Sequence, residues 1–288
     1  PNVFIDKDGQ AYLYWSMGNI YVAKLKENML ELDSEPLVIA NLPEKGMKEG
    51  PWLFERNGLY YLTFPHVEKD TERLEYAVGD SPMGPFKMTG VIMDESATGC
   101  WTNHHSIIDY NDQWYLFYHH NDLSPKFDKN RSIRVDSLFF NSDGTIQKVI
   151  PTLRGVGITR ANKEIQLDRY SALSEKGAGI EFIDTTNTMQ GWKTVLSENG
   201  AWVRFNKVDL NNDKLKALIL RVKANSKGKL ELRLNNADGP VLAKINTPKL
   251  QEWSNIAVDI EKYETGIHDL FLVSKSKTPI EIDWVKFE

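Results

Sequence analysis

Short apolar runs broken by Asx and Gly turns fill the first half of the chain. Val3-Phe4-Ile5 leads through Asp6-Lys7-Asp8-Gly9 into Ala11-Tyr12-Leu13-Tyr14-Trp15, which predicts a β-hairpin. A second pair follows at residues 20–23 and 37–39. The third stretch runs from Trp52-Leu53-Phe54 through Asn57-Gly58 to Leu59-Tyr60-Tyr61-Leu62, with a further strand over 74–78. Residues 105–110 and 113–119 flank the turn Asn111-Asp112, and residues 133–140 precede the turn 141–145 as a fourth unit. Each unit ends a strand in a turn and resumes in a Tyr-rich run. The spacing of roughly 45 to 55 residues predicts propeller blades of four short strands, with an irregular β-sandwich as the alternative.

The texture changes near residues 152–163, where Gly155, Gly157 and Asn162 suggest a linker. Beyond it, strands alternate more cleanly, as in Leu218-Ile219-Leu220-Arg221-Val222 and Lys229-Leu230-Glu231-Leu232. Alternation with frequent turns over about 125 residues predicts a β-sandwich of the jelly-roll kind. The expected organisation is all-β, a propeller domain over 1–158 and a sandwich module over 163–288.

Composition narrows the function. The chain has 288 residues, 11% of them aromatic, with 8 Trp and 11 Tyr. That load suits a β protein that stacks rings on sugars, and it suits any β-rich core. The net charge is −5 without a basic run, so nucleic acid is not an expected partner. A single cysteine, Cys100, excludes an intrachain disulfide and a cysteine-based zinc site. No apolar stretch is long enough to span a membrane as a helix.

One carboxylate stands out. Glu49 occupies a Gly-Pro turn, Glu49-Gly50-Pro51, leading into the hairpin at Trp52. Apolar surroundings raise a carboxyl group's pKa, which lets it hold a proton near neutral pH and give it to a leaving group. A solvent-facing loop glutamate is the alternative.

The motifs PNVFIDKDGQAYLYW, EGPWLFERNGLYYLTF, DSPMGPF, NHHSIIDYNDQWYLFYHH and RVDSLFFNSDGTIQKV resemble glycoside hydrolase family 43, in that family's order. The second half, with IQLDRY, NGAWVRF, the Trp253 region and GIHDLFLVSKSKTPIEIDWVKFE, is similar to carbohydrate-binding module family 6. The resemblance implies a five-bladed propeller whose first blade precedes this chain, followed by the sandwich module. It also implies inverting hydrolysis by a general acid and a general base on opposite faces of the sugar.

Residue by residue, the resemblance assigns the general acid to Glu49. It places an orienting Asp immediately before Pro1 and the base Asp in the first blade, both outside this sequence. Asp6 and Asp8 are read as turn residues. His105 matches a histidine near the propeller axis, able to contact a central cation, often calcium. His104, Trp52, Trp101 and Arg131 are candidates for the sugar pocket, the arginine through its planar fork. Trp114, Tyr115 and Phe117 are read as core, and His119 and His120 lack a third zinc ligand. In the module, Gln166, Asp168 and Asp283 match a structural calcium site, with Gln166 where Glu is more usual. Trp253 and Trp192 are candidates for the aromatic pair of the sugar cleft. Glu281 stands where that cleft has an Asn.

These assignments predict a secreted or periplasmic hydrolase of plant cell-wall polysaccharide. It removes α-L-arabinofuranosyl branches from arabinoxylan. An exo-β-1,4-xylosidase acting on xylan oligosaccharides and a non-catalytic carbohydrate-binding protein are the rival readings.

Overall fold

A computed structural model describes residues 1–46, 48–121, 131–211 and 214–288. They form two compact units, Pro1–Pro151 and Thr152–Glu288. The strands of the first are β1 (Asn2–Ile5), β2 (Ala11–Met17), β3 (Asn19–Lys24), β4 (Leu37–Val38), β5 (Trp52–Arg56), β6 (Leu59–Val67), β7 (Glu72–Gly79), β8 (Phe86–Met93), β9 (His105–Tyr110), β10 (Gln113–His120) and β11 (Ser132–Leu138). Among the described residues they make three antiparallel meanders, β1-β2-β3-β4, β5-β6-β7-β8 and β9-β10-β11. These are propeller blades. Two of their hairpins turn where the sequence supplies residues tolerant of positive φ, Asn57 (54°) with Gly58 (82°) and Asn111 (51°) with Asp112 (60°).

The Tyr-rich runs build the interior. Tyr14, Tyr61, Tyr76 and Phe64 are buried. One apolar cluster joins Tyr61 and Tyr76 of the second blade to Ile107, Leu116 and Tyr118 of the third. Another joins Leu62 and Phe64 to Tyr14 and Val22 of the first. The second blade is thus covered on both faces by its neighbours, as blade packing requires. Phe54 stacks on Tyr61 at 4.8 Å and meets Trp114 at 4.9 Å. Phe117 faces the other way and is exposed, contrary to its reading as core.

The fourth repeat read from residues 133–140 is not a separate blade. Residues 132–138 are β11, the strand that follows β10 in the third blade, with His119 opposite Ile133 and Trp114 opposite Leu138. A short alternating strand after a polar stretch reads the same whether it closes one sheet or opens the next. Only the pairing tells them apart.

The second unit holds β12 (Thr159–Arg160), β13 (Ile165–Gln166), β14 (Ala172–Leu173), β15 (Ala178–Phe182), β16 (Trp192–Leu196), β17 (Trp202–Asp209), β18 (Ala217–Ala224), β19 (Gly228–Leu234), β20 (Val241–Thr247), β21 (Leu250–Asp259), β22 (Ile267–Ser274) and β23 (Ile280–Phe287). One sheet runs β12-β17-β22-β19-β20, with β14 also on β17. The other runs β15-β16-β23-β18-β21, with β13 also on β23. Their inner faces bury Leu218, Leu220 and Val222 against Leu230, Leu232 and Leu272 in one sandwich core. β12 lies parallel to β17 and Ala161 is buried in that core, so part of the stretch read as a linker is a strand of the sandwich. Among the described residues the regular structure is otherwise a single 3-10 turn, Thr188–Gln190, and no described helix is long and apolar enough to cross a membrane.

Candidate active site

Glu49 sits where the chain enters the second blade, and main-chain bonds fix it there. Lys48 bridges His66 across β6, and the Glu49 amide donates to the Pro65 carbonyl at 3.4 Å. The Lys48 carbonyl accepts from the Gly18 amide at 3.1 Å and from the Ser16 hydroxyl. Beneath this turn lies a buried ionic layer. His66 Nδ1 is 2.8 Å from Glu75 Oε2, Nε2 is 3.0 Å from the Lys45 carbonyl, and Arg73 Nε donates to Glu75 Oε1 at 2.6 Å. Both ring nitrogens of His66 therefore face acceptors.

Three groups converge at the end of this turn. The donor atoms of Glu49, Glu72 and His104 all lie within 4.8 Å of one another, and His104 Nε2 is 3.9 Å from Glu49 Oε2. Glu49 and His104 are partly exposed, at 30% and 39% of their side chains, whereas Glu72 is 1% exposed. The burial expected at Glu49 falls on its neighbour. Desolvation and the Glu49 carboxylate push Glu72 up to about 8, against the Asn103 amide and the Arg131 charge. Arg131 is exposed and close enough to Glu72 and His119 to act on both.

Two histidines beside this centre, His105 and His119, are held neutral. His104 stacks on His119 with ring planes 3° apart and centroids 6.5 Å apart. Burial pushes His119 down to about 4 and His105 down to about 3. His105 Nε2 meets the Thr63 hydroxyl at 2.6 Å, and its Nδ1 is buried without a partner. As a single nitrogen donor, His105 could meet a central cation only where waters supply the other ligands that calcium takes. Its orphaned nitrogen suits hydrogen bonding to a buried water.

The aromatic candidates separate. Trp52 donates from Nε1 to the Ile107 carbonyl at 2.9 Å and packs into the inter-blade core, so it holds blades together and does not line the pocket. Trp101 is 44% exposed, three residues before His104, and remains free to meet a ligand. Asp6 and Asp8 accept the Lys7 and Gln10 amides of their own turn.

In the module, Trp192 meets Phe182 at 4.0 Å and shares its strand face with the core residue Leu196. Trp253 lies on β21 opposite in phase to Ile256 and Val258, which pack on the core, and carries the Arg221 guanidinium 5.3 Å from its ring. The two tryptophans therefore point to opposite faces and do not form one sandwiching cleft. Glu281 is held by Lys193 at 2.8 Å. Asp168 and Asp283 are both buried, and burial raises both pKa values, with Asp283 adding to the effect on Asp168. Arg169 lies 3.2 Å from Asp168, and Arg221 pairs with Asp283. With Gln166 on the adjoining strand, two buried carboxylates and an amide fit a hard cation in donor type.

Residues 1–146 match the family described as glycosyl hydrolases family 43, which is half of the chain. The chain belongs to that family. Residues 173–288 match carbohydrate binding module family 6. An arabinoxylan arabinofuranohydrolase of Paenibacillus polymyxa is 24% identical over 95% of this chain and 48% of its own length. A xylosidase/arabinosidase of Bacteroides ovatus is 38% identical over 43% of the chain and 41% of its own length. The chain thus spans about half the length of these curated relatives. A family 43 arabinoxylan arabinofuranohydrolase of Bacillus subtilis, solved with cellotetraose, shares the fold at TM-score 0.53 and 23% identity, over 99% of this chain and 66% of that one.

Glu72 was not legible in the sequence as part of this site. It stands in the polar run Glu68-Lys69-Asp70-Thr71-Glu72-Arg73 among other charges. Its place follows from the β6–β7 register, which sets it opposite Val67 at the same end of the sheet as the Lys48–His66 bridge.

Proposed function

We propose that the protein is an inverting glycoside hydrolase that removes α-L-arabinofuranosyl side chains from arabinoxylan, with Glu49 as general acid. The observation that carries this reading is Glu49 itself, a partly exposed carboxyl group fixed by the main chain at the mouth of the second blade. There it can protonate a departing sugar oxygen while water adds to the opposite face and gives its proton to a base. Glu72 is not that base. Inverting pairs stand about 6.5–9.5 Å apart to admit water, and Glu72 lies within 4.8 Å of Glu49. His104, which lies 3.9 Å from the acid, is taken as a sugar contact together with Trp101 and Arg131.

The module supplies polysaccharide attachment through the outward face bearing Trp253, and Gln166, Asp168 and Asp283 hold a structural calcium. A polymeric plant substrate places the protein outside the cytoplasm, secreted or periplasmic. The test is to incubate the full-length protein with arabinoxylan and identify the free sugar. Arabinose supports the reading, xylose replaces it with an exo-β-xylosidase, and no sugar overturns hydrolysis.

A further inference from the structure

The carboxyl group of Glu72 is buried and stands too close to the acid to activate water on the opposite face, yet it is aimed at the acid. It is 1% exposed, and its Oε2 has no hydrogen-bond partner when the group is ionised. An orphaned carboxylate oxygen of this kind is costly. Glu49 is the nearest remedy, since its carboxylate lies within 4.8 Å. Two carboxylates can hydrogen-bond only if one of them carries a proton.

Other groups face Glu72. His104 belongs to the same cluster, the Asn103 amide donates to it, and Arg131 acts on it from the segment before β11. Its ladder partner on β6, Val67, is apolar. None of these gives Oε2 a partner.

We propose that Glu72 is a positioning residue for Glu49: the two carboxyl groups share a single proton, which the burial of Glu72 retains on the pair until Glu49 delivers it. The proposal rests on the reading of Glu49 as general acid. Like charges in contact titrate as a pair, in two steps that belong to neither residue alone. The repulsion and the burial of Glu72 hold the last proton on the pair. Glu72 thereby does for the acid what a hydrophobic pocket does elsewhere, while Glu49 stays open to substrate. After transfer to the sugar oxygen the pair is dianionic and takes one proton back from solvent.

The test uses the full-length protein labelled with 13C at glutamate side-chain carboxyls, titrated by NMR as wild type, Glu72→Gln and Glu49→Gln. The wild type is expected to show one glutamate step near pH 8. That step disappears in Glu72→Gln and moves at least one pH unit down in Glu49→Gln, where the repelling charge is gone. Absence of any glutamate step above pH 6 in the wild type overturns the proposal. So does a step that Glu49→Gln leaves in place, a result available even if Glu72→Gln fails to fold. A step that moves when EDTA or calcium is added also overturns it, since the pair would then hold a cation. The kinetic arm compares pH profiles on arabinoxylan. The alkaline limb of kcat/KM should move at least one unit towards acid in Glu72→Gln, with the acid limb and KM unchanged and Glu72→Asp partly restoring it. A uniform loss of kcat at every pH would make Glu72 merely structural. Absence of sugar release in the wild type sinks the hydrolase reading and leaves the NMR outcome to stand alone.

Discussion

Gly50 lies against the ring of His104 so closely that a Cβ on it would sit 2.4 Å from Cδ2 and 2.8 Å from Nε2. The backbone at Gly50 also has φ of +48°, which side chains other than glycine's rarely adopt. The glycine after Glu49 thus lets two strand ends meet and puts the histidine beside the acid. Gly50→Ala should push the imidazole out of place and strain the turn by about 1–3 kcal/mol. A fall in kcat/KM of tenfold or more, with a melting temperature lowered by only a few degrees, is the expected result. A change in melting temperature with full activity would show that His104 does not serve the reaction.

Glu49→Ala separates proton donation from binding. Poor leaving groups need the proton and activated aryl glycosides need little of it. On arabinoxylan kcat should fall about 10²- to 10⁴-fold, while an aryl arabinofuranoside loses much less. Equal losses on both substrates would remove the acid role from Glu49.

How much of this was legible in the sequence depends on the range of the contact involved. The Asn57-Gly58 and Asn111-Asp112 hairpins and the alternating strands of the sandwich are local signals, and the chain folds as they predict. Glu49 announced itself because a Gly-Pro turn ahead of an apolar strand is local too. Glu72, the assignment of β11 to the third blade, and the opposite faces of Trp192 and Trp253 all depend on pairing between distant strands. Trp52 shows the same limit from the other side. An aromatic next to the acid has the right chemistry for a sugar, but its indole N–H is committed to the Ile107 carbonyl on the neighbouring blade.

The His66–Glu75 pair should support the acid turn from below. Both side chains are nearly buried, at 5% and 3% exposed, and Glu75 also accepts from Arg73. Removing Glu75 leaves the buried His66 nitrogen without its acceptor, at a cost of about 1–3 kcal/mol. Glu75→Ala is expected to destabilise the propeller unit by that order in chemical denaturation and to lower activity with it. A loss below about 1 kcal/mol would mean that water or a rearranged Arg73 satisfies His66.

Calcium should stabilise the module through Asp168 and Asp283. At a concentration about 100 times its Kd, a ligand of the native state adds about 2.7 kcal/mol. Melting of the full-length protein should therefore rise with calcium and fall with EDTA, and Asp168→Asn should abolish the difference. An unchanged melting curve with and without EDTA would leave Arg169 and Arg221 as the counter-charges of these carboxylates among the described residues.

The propeller should also show an unusual dependence of stability on pH. His105 and His119 are pushed down to about 3 and about 4, so between those values and the ordinary histidine range the unfolded chain binds more protons than the folded one. Stability then rises with pH up to about 6.5. Glu72 works in the opposite sense. It is pushed up to about 8, so from about 4.5 to 8 the folded state binds more protons and stability falls as pH rises. The two slopes oppose each other between about 4.5 and 6.5, and above 6.5 only that of Glu72 remains among these groups. The melting temperature should climb from pH 3 to about 6.5, less steeply above about 4.5 where Glu72 offsets one of the two histidines, and then decline to about 8. Glu72→Gln should remove the decline and leave the climb, while His105→Asn should reduce the climb and leave the decline. A decline that persists unchanged in Glu72→Gln would assign it to other groups and leave Glu72 ionised in the folded protein.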